Sequence, residues 1–242
     1  MSLSMFCAIP LPFHLWDDAC MKLMLPCFPL IGILIGAMLW GVAQLLVMSS
    51  VNIMISAAIL TVFPYLITGF LHLDGYMDTS DAFLSRRSLE EKLRILKDPH
   101  TGAFAVITLA VLFVLQFAGF YTIVENEKNL LLLITIPVIS RCCSALSLLC
   151  LKSMPQSQYA NMFKQNTGLS HKIFIIITAL LTLGAAYLFG GLFGLVIVFI
   201  TIISFIGAMF YVYKEFKGIS GDLSGFAIVV SELCGIFGLA LM

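Results

Sequence analysis

The chain has 242 residues, 61% of them hydrophobic and 11% charged, and its 13 basic and 13 acidic side chains give a net charge of zero. A soluble domain averages about 45–50% apolar and about 25% charged residues, so an ordinary water-facing surface is excluded. A basic nucleic-acid binder and an acidic disordered tail are excluded too, and with a mean hydropathy of +1.07 the solvent is lipid. The expected fold class is all-α, a polytopic transmembrane helical bundle forming a single domain over residues 1–242.

At the N-terminus, Pro10, Pro12, Asp17 and Asp18 interrupt residues 1–24. No small-residue cleavage site follows a basic start, so no cleavable signal peptide is expected. A helix needs about 20 apolar residues to cross a bilayer. Uncharged runs place spans near 25–48, 52–73, 103–124, 130–151, 172–190, 192–212 and 225–242, seven in all. Ser49, Ser50 and Asn52 separate the first two, Pro64 is placed to kink the second, and Gly190-Gly191 breaks the long charge-free run from Ile173 to Tyr213. The seven cysteines fit no metal spacing and read as buried free thiols.

Seven spans put the termini on opposite sides. One side collects Lys22, Arg86, Arg87, Lys92, Arg94, Lys97, Lys152, Lys164, Lys214 and Lys217, against Lys128 alone on the other. That bias makes the N-terminus cytoplasmic and the C-terminus outside. The acids follow: Asp17, Asp18, Asp74, Asp78, Asp81, Glu90, Glu91, Asp98, Glu215 and Asp222 share the cytoplasmic side, where loop 74–102 is the longest polar segment.

The sharpest motif is His72-Leu73-Asp74-Gly75-Tyr76-Met77-Asp78-Thr79-Ser80-Asp81, running out of the second span. Spacing i, i+4, i+7 puts Asp74, Asp78 and Asp81 on one helix face. Three carboxylates so close repel unless a cation or protons intervene, and hard cations such as Mg²⁺ pair carboxylate oxygens with substrate phosphates. The pattern predicts a Mg²⁺ site for a diphosphate. Its alternative is a solvated helix end whose acids pair with Arg86, Arg87 or Lys97.

Further on, Ser88-Leu89-Glu90-Glu91 predicts a capping box opening a short helix that rests on Leu89, Leu93 and Leu96. Asp98 before Pro99 ends it, and the turn through His100 and Gly102 starts the third span. Arg86, Lys97 and Lys164 are candidate phosphate partners. Arg141, mid-span, is too deep to snorkel, so it serves the site or pairs with Glu232 of the last span. Gly218 to Gly225 form a glycine-rich turn around Asp222. No zinc-protease, Walker or serine-hydrolase motif occurs.

The sequence resembles the cobalamin synthase family, the adenosylcobinamide-GDP ribazoletransferases of cobamide assembly. The resemblance rests on Gly69 to Gly75 with Asp78 and Asp81, on Leu96-Lys97-Asp98 with Gly102, on Phe28 to Gly32, on Ser140-Arg141, and on Gly221-Asp222 with Gly225 and Glu232. It implies Mg²⁺-assisted attack by a hydroxyl of α-ribazole, or of its phosphate, on the cobinamide-linked phosphorus of adenosylcobinamide-GDP, with GMP leaving. It implies metal ligation by Asp74, Asp78 and Asp81, proton transfer by one of these or by Asp222, and substrate contacts from His72, Arg86, Lys97, Asp98, Arg141 and Glu232. The partners implied are the two substrates and the lipid bilayer of a bacterial or archaeal inner membrane. A homo-oligomer or an assembly with other cobamide enzymes stays open, and nucleic acid is not expected. Two departures stand out: Val229 replaces an acid usual three residues before Glu232, and the segment from Lys152 to Lys172 has no Arg.

Rival readings are other Mg²⁺-dependent membrane transferases. A CDP-alcohol phosphotransferase would show Ala-Arg where Ser80-Asp81 stands, and a prenyltransferase would need a second aspartate-rich motif. An ion-coupled transporter, the alternative of another class, would hold its acids near the midplane and show inverted repeats.

Overall fold

A computed structural model describes residues 2–9, 18–155, 157–164 and 167–242; Pro10, Pro12, His14 and Asp17 fall outside them. After α1 (Ser2–Phe6) and a 3-10 turn, α2 (Phe28–Met48) opens with Pro29 in its first turn, where a missing N–H costs nothing. The Asn52 side chain caps α3 (Ile53–Ile67) by accepting from the Met54 amide at 2.9 Å.

The second expected span is divided. Helix α3 runs through Pro64 and stops at Ile67, and α4 (Leu71–Leu84) leaves at 94°. The cause lies past the proline. Gly69 and Phe70 both have left-handed backbone, and the Phe70 and Gly69 amides return to the Tyr65 and Leu66 carbonyls at 2.8 and 3.2 Å. This Schellman closure ends one helix and aims the next.

Helix α5 (Leu89–Ile95) has the expected capping box of Ser88 and Glu91. Then come α6 (Ala103–Glu125), a 3-10 turn leading into α7 (Thr135–Cys150), α8 (Gln158–Lys164), α9 (Leu169–Phe216) and α10 (Gly221–Leu241). At 48 residues α9 would measure about 72 Å if straight, over twice a bilayer core. Gly191, at φ +60°, breaks it where the glycine pair predicts. Among the described residues five helices are long and apolar enough to cross a membrane, or six with the bent pair α3–α4 counted as one. The protein is a multi-pass membrane protein, all-helical, as expected from its composition.

Burial ranks the helices. Two thirds of the α7 and α10 windows are buried (67% each), against 28–33% for α2, α6 and α9, so α7 and α10 are the axis and the others face lipid. Helix α2 approaches this axis on Gly32 and Gly36, where a Cβ would overlap the backbone of Pro137 and Ile134. One apolar cluster, with Phe28, Ile139, Phe205 and Leu223, fills the polar end; another, with Leu39, Leu60, Phe120 and Ile236, fills the opposite end. A third, of Tyr65, Leu73, Tyr76, Leu112 and Val229, lies beneath α4. Val229 is thus an apolar packing residue. The described cysteines are all free.

Candidate active site

Helix α4 bridges the polar ends of three spans. Tyr76 stacks on Phe226 of α10 with ring centroids 5.5 Å apart and donates to the Thr108 carbonyl of α6. Phe83 meets Tyr211 of α9 edge-on. At the crossing with α10 the backbones nearly touch: a Cβ on Gly75 would lie 2.9 Å from the Asp222 backbone, and one on Gly225 would lie 3.3 Å from the His72 carbonyl. A glycine on each helix therefore brings the two acidic segments together.

The result is four aspartates at one place. Asp74, Asp78 and Asp81 line one face of α4, as their spacing predicts, and Asp222 joins them from the first turn of α10. Asp81 lies against Gly102, the residue that starts α6. None of the four forms an ion pair among the described residues; Arg87 pairs with Glu91, and Lys92 with Glu215. The alternative in which basic neighbours neutralise the acids is not what the chain adopts. The Asp78 carboxyl is accordingly pushed up to about 6, first by desolvation and then by the charges of Asp74, Asp222 and Asp81. Among the described residues no three His, Cys, Asp or Glu side chains converge into a ready metal cage. A cation held by one or two carboxylates, waters and substrate phosphate needs no such cage, so the donor set still suits Mg²⁺.

The other expected residues sort into two groups. Arg86 and Lys97 are exposed at the same end, Arg86 with left-handed backbone just past α4. Asp98 is exposed and bonds the His100 amide at 3.0 Å and its ring Nδ1 at 2.7 Å, contacts that lower its pKa. Lys164 donates to the Leu151 carbonyl.

Arg141 and Glu232, by contrast, hold each other. The guanidinium, 1% exposed, lies 2.5 Å from Glu232 and 3.0 Å from the Pro137 carbonyl, while Ser140 donates to the same carboxylate at 2.7 Å. The guanidinium also lies 5.7 Å from the Phe28 ring centroid. This ties α7 to α10.

Two contacts were not foreseen, nor was the setting of His72, itself an expected substrate residue. Lys92 of α5 is buried against Glu215 of α9. The Met154 amide bonds the Ile219 carbonyl, and the Ile219 amide bonds the Lys152 carbonyl, which stitches the segment after α7 to the turn before Asp222. His72 is buried, with Nε2 unpartnered, and lines a cavity beside Asp222. The first two join residues far apart in the chain, so no local pattern announces them.

Helices long and apolar enough to cross a membrane, with a cluster of aspartates at one end, define the class: a multi-pass membrane protein. Comparison with known proteins supplies the particular family. A family model described as CobS: Cobalamin-5-phosphate synthase matches residues 1–240, and the chain belongs to that family. It is 39% identical over 244 residues to a protein of Clostridium botulinum (strain Alaska E43 / Type E3) named adenosylcobinamide-GDP ribazoletransferase, covering 100% of this chain and 96% of that one. A protein of the same name from Clostridium perfringens (strain ATCC 13124) is 41% identical over 251 residues, with the same coverage. One from Pseudomonas fluorescens (strain SBW25) is 33% identical over 88% of this chain and 86% of its own. No solved structure matches. The protein is a transferase of cobalamin biosynthesis.

Proposed function

We propose that this protein transfers the adenosylcobinamide phosphoryl group of adenosylcobinamide-GDP to a hydroxyl of α-ribazole or α-ribazole phosphate. GMP is released, and the nucleotide loop of the cobamide closes. The observation that carries this reading is the junction of α4 and α10, where four aspartates meet without an ion pair among the described residues, in a chain of this family. The same reading places the polar end in the cytoplasm of a bacterial or archaeal inner membrane, where both substrates are soluble.

Phosphoryl transfer asks for positioning and charge neutralisation more than for covalent catalysis. Asp74, Asp78 and Asp81 would hold Mg²⁺, which when bound neutralises charge on the phosphoryl oxygens and the leaving phosphate. Asp222, on the other helix, is the acid left to take the proton from the attacking hydroxyl. Arg86 and Lys97, exposed at the same end, reach for phosphate. Arg141 and Glu232 act through packing, by keeping α10 and hence Asp222 in register with α4.

The test is to incubate membranes containing the protein with adenosylcobinamide-GDP, α-ribazole and Mg²⁺, and to measure cobamide and GMP by chromatography. Stoichiometric product that disappears with EDTA and returns with Mg²⁺ is expected. No product from the wild type sinks the assignment, and EDTA-resistant turnover sinks the metal site.

A further inference from the structure

Beside Asp222 lies a cavity of about 280 Å³ at the polar end, bounded by α1, the starts of α2, α4 and α10, the end of α7 and α8. Its walls are apolar: Phe6, Leu25, Phe28, Leu148, Phe163 and Ile228. Phe6 and Phe28 place their ring centroids 4.5 Å apart, and His72 meets the Phe28 ring edge-on at 5.6 Å. Polar groups are few. Ser144 and Ser224 share one hydrogen bond at 2.7 Å, which leaves one of the two hydroxyl protons free. His72, only 7% exposed, keeps Nε2 buried without a hydrogen-bond partner among the described residues. A buried ring nitrogen left unpaired costs stability, so it persists where something else is meant to complete it. Asp222 and Gly221, both exposed, mark the mouth, which opens onto the aspartates.

The size and chemistry of this cavity narrow its occupant. Whole small molecules fill about 300–1,000 Å³, so this space takes part of a substrate and leaves the corrinoid outside. Flat apolar walls suit an aromatic ring system. Guanine, the base of the donor, would bury an amino group, a ring N–H and a carbonyl deep in the cavity, where the described polar side chains are His72 and one serine pair, and each unmatched group is penalised. A benzimidazole has an apolar benzo edge and one unsubstituted ring nitrogen, which matches one histidine N–H.

We propose that this cavity seats the base of the nucleoside acceptor, a two-ring heterocycle of the benzimidazole type, with His72 Nε2–H donating to its free ring nitrogen. The ribose then projects past Gly221 and Asp222, so the attacking hydroxyl arrives at the carboxylate that takes its proton. The inference rests on the ribazoletransferase reading and adds to it the acceptor subsite and the residue that reads the base.

Steady-state kinetics of the full-length protein in detergent, varying each substrate in turn, decide the matter. His72→Leu is expected to raise KM for α-ribazole about tenfold, the worth of one hydrogen bond, with KM for adenosylcobinamide-GDP unchanged. His72→Gln, which keeps an N–H in reach, recovers most of the loss. Should His72→Leu fail to fold, equilibrium dialysis of wild type serves instead: α-ribazole binds without donor, and free benzimidazole displaces it whereas guanosine does not. A rise in donor KM, or displacement by guanosine, assigns the cavity to guanine and overturns the proposal; unchanged KM values in both variants overturn it too. A wild type that turns over neither substrate defeats the transferase reading, while the dialysis still decides whether the cavity takes the base.

Discussion

Two groups of charge in this molecule obey opposite rules. In the bundle interior Arg141 is buried and Glu232 half-buried, the two matched one to one and wrapped by Ser140 and the Pro137 carbonyl. At the polar end Asp74, Asp78, Asp81 and Asp222 are crowded, of one sign, and without an ion pair among the described residues. Burial explains the first, since an unpaired charge there has no water to fall back on. Water explains why the second is tolerated, and in the proposed reading a cation relieves the repulsion that a like-charged cluster stores. Charge inside the bundle is paired, and charge at its end is crowded and of one sign.

The comparison breaks most visibly inside. Arg141→Met or Glu232→Leu alone should destabilise the detergent-solubilised protein by about 3–5 kcal/mol, since each strands the partner charge. The double variant should recover most of that in a thermal melt and keep turnover within a few-fold. A double variant that folds but is inactive would show that Arg141 touches substrate after all.

The aspartates should answer the other way. Asp74→Asn and Asp78→Asn are expected to cut turnover by about a hundredfold or more, the scale of losing one transition-state charge contact. Their melting temperatures should stay level or rise. Loss of folding in either variant would mean that the cluster is structural.

A smaller effect follows from the raised pKa of Asp78, at about 6. Without divalent cation the folded state holds this proton longer than the unfolded chain, whose carboxyl titrates near 4. The contribution of Asp78 to stability should therefore be greatest below pH 4 and fall by about 1–2 kcal/mol as pH rises through 6. Turnover should rise over the same range, as Asp78 becomes free to bind Mg²⁺. Melts of wild type and Asp78→Asn at pH 4 and pH 7 check this, and equal slopes for the two would remove Asp78 as the cause.

What the sequence made legible depended on range. Span composition, the Ser88 cap, the break at Gly191 and the shared face of the three aspartates are all local patterns, and each holds in the structure. The end of the second span was misplaced because hydropathy runs on past Ile67, while the turn is made by two left-handed residues that hydropathy does not register. Asp222 was singled out by its glycines, yet its meeting with Gly75 depends on packing 147 positions away. The Arg141–Glu232 pair was left open against a direct role at the site, because sequence shows two misplaced charges and not the distance between them. The cavity beside His72 is assembled from six helices, and no single segment encodes it.

Lys92 and Glu215 lie between the two extremes and offer the finest test of the comparison. The Lys92 side chain is 6% exposed and that of Glu215 41%, so one partner is buried and the other half in water. A symmetric ion pair would lose the same stability from either side. Here Glu215→Gln should cost about 1–2 kcal/mol, because it strands a buried ammonium that cannot reach solvent. Lys92→Met should cost under about 0.5 kcal/mol, because the freed carboxylate is already hydrated and the methionine fills the space of the lysine stem. Melting temperatures of the two variants measure the asymmetry. Equal losses would show that α5 is held to α9 by charge, and that burial does not decide how each charge in this bundle behaves.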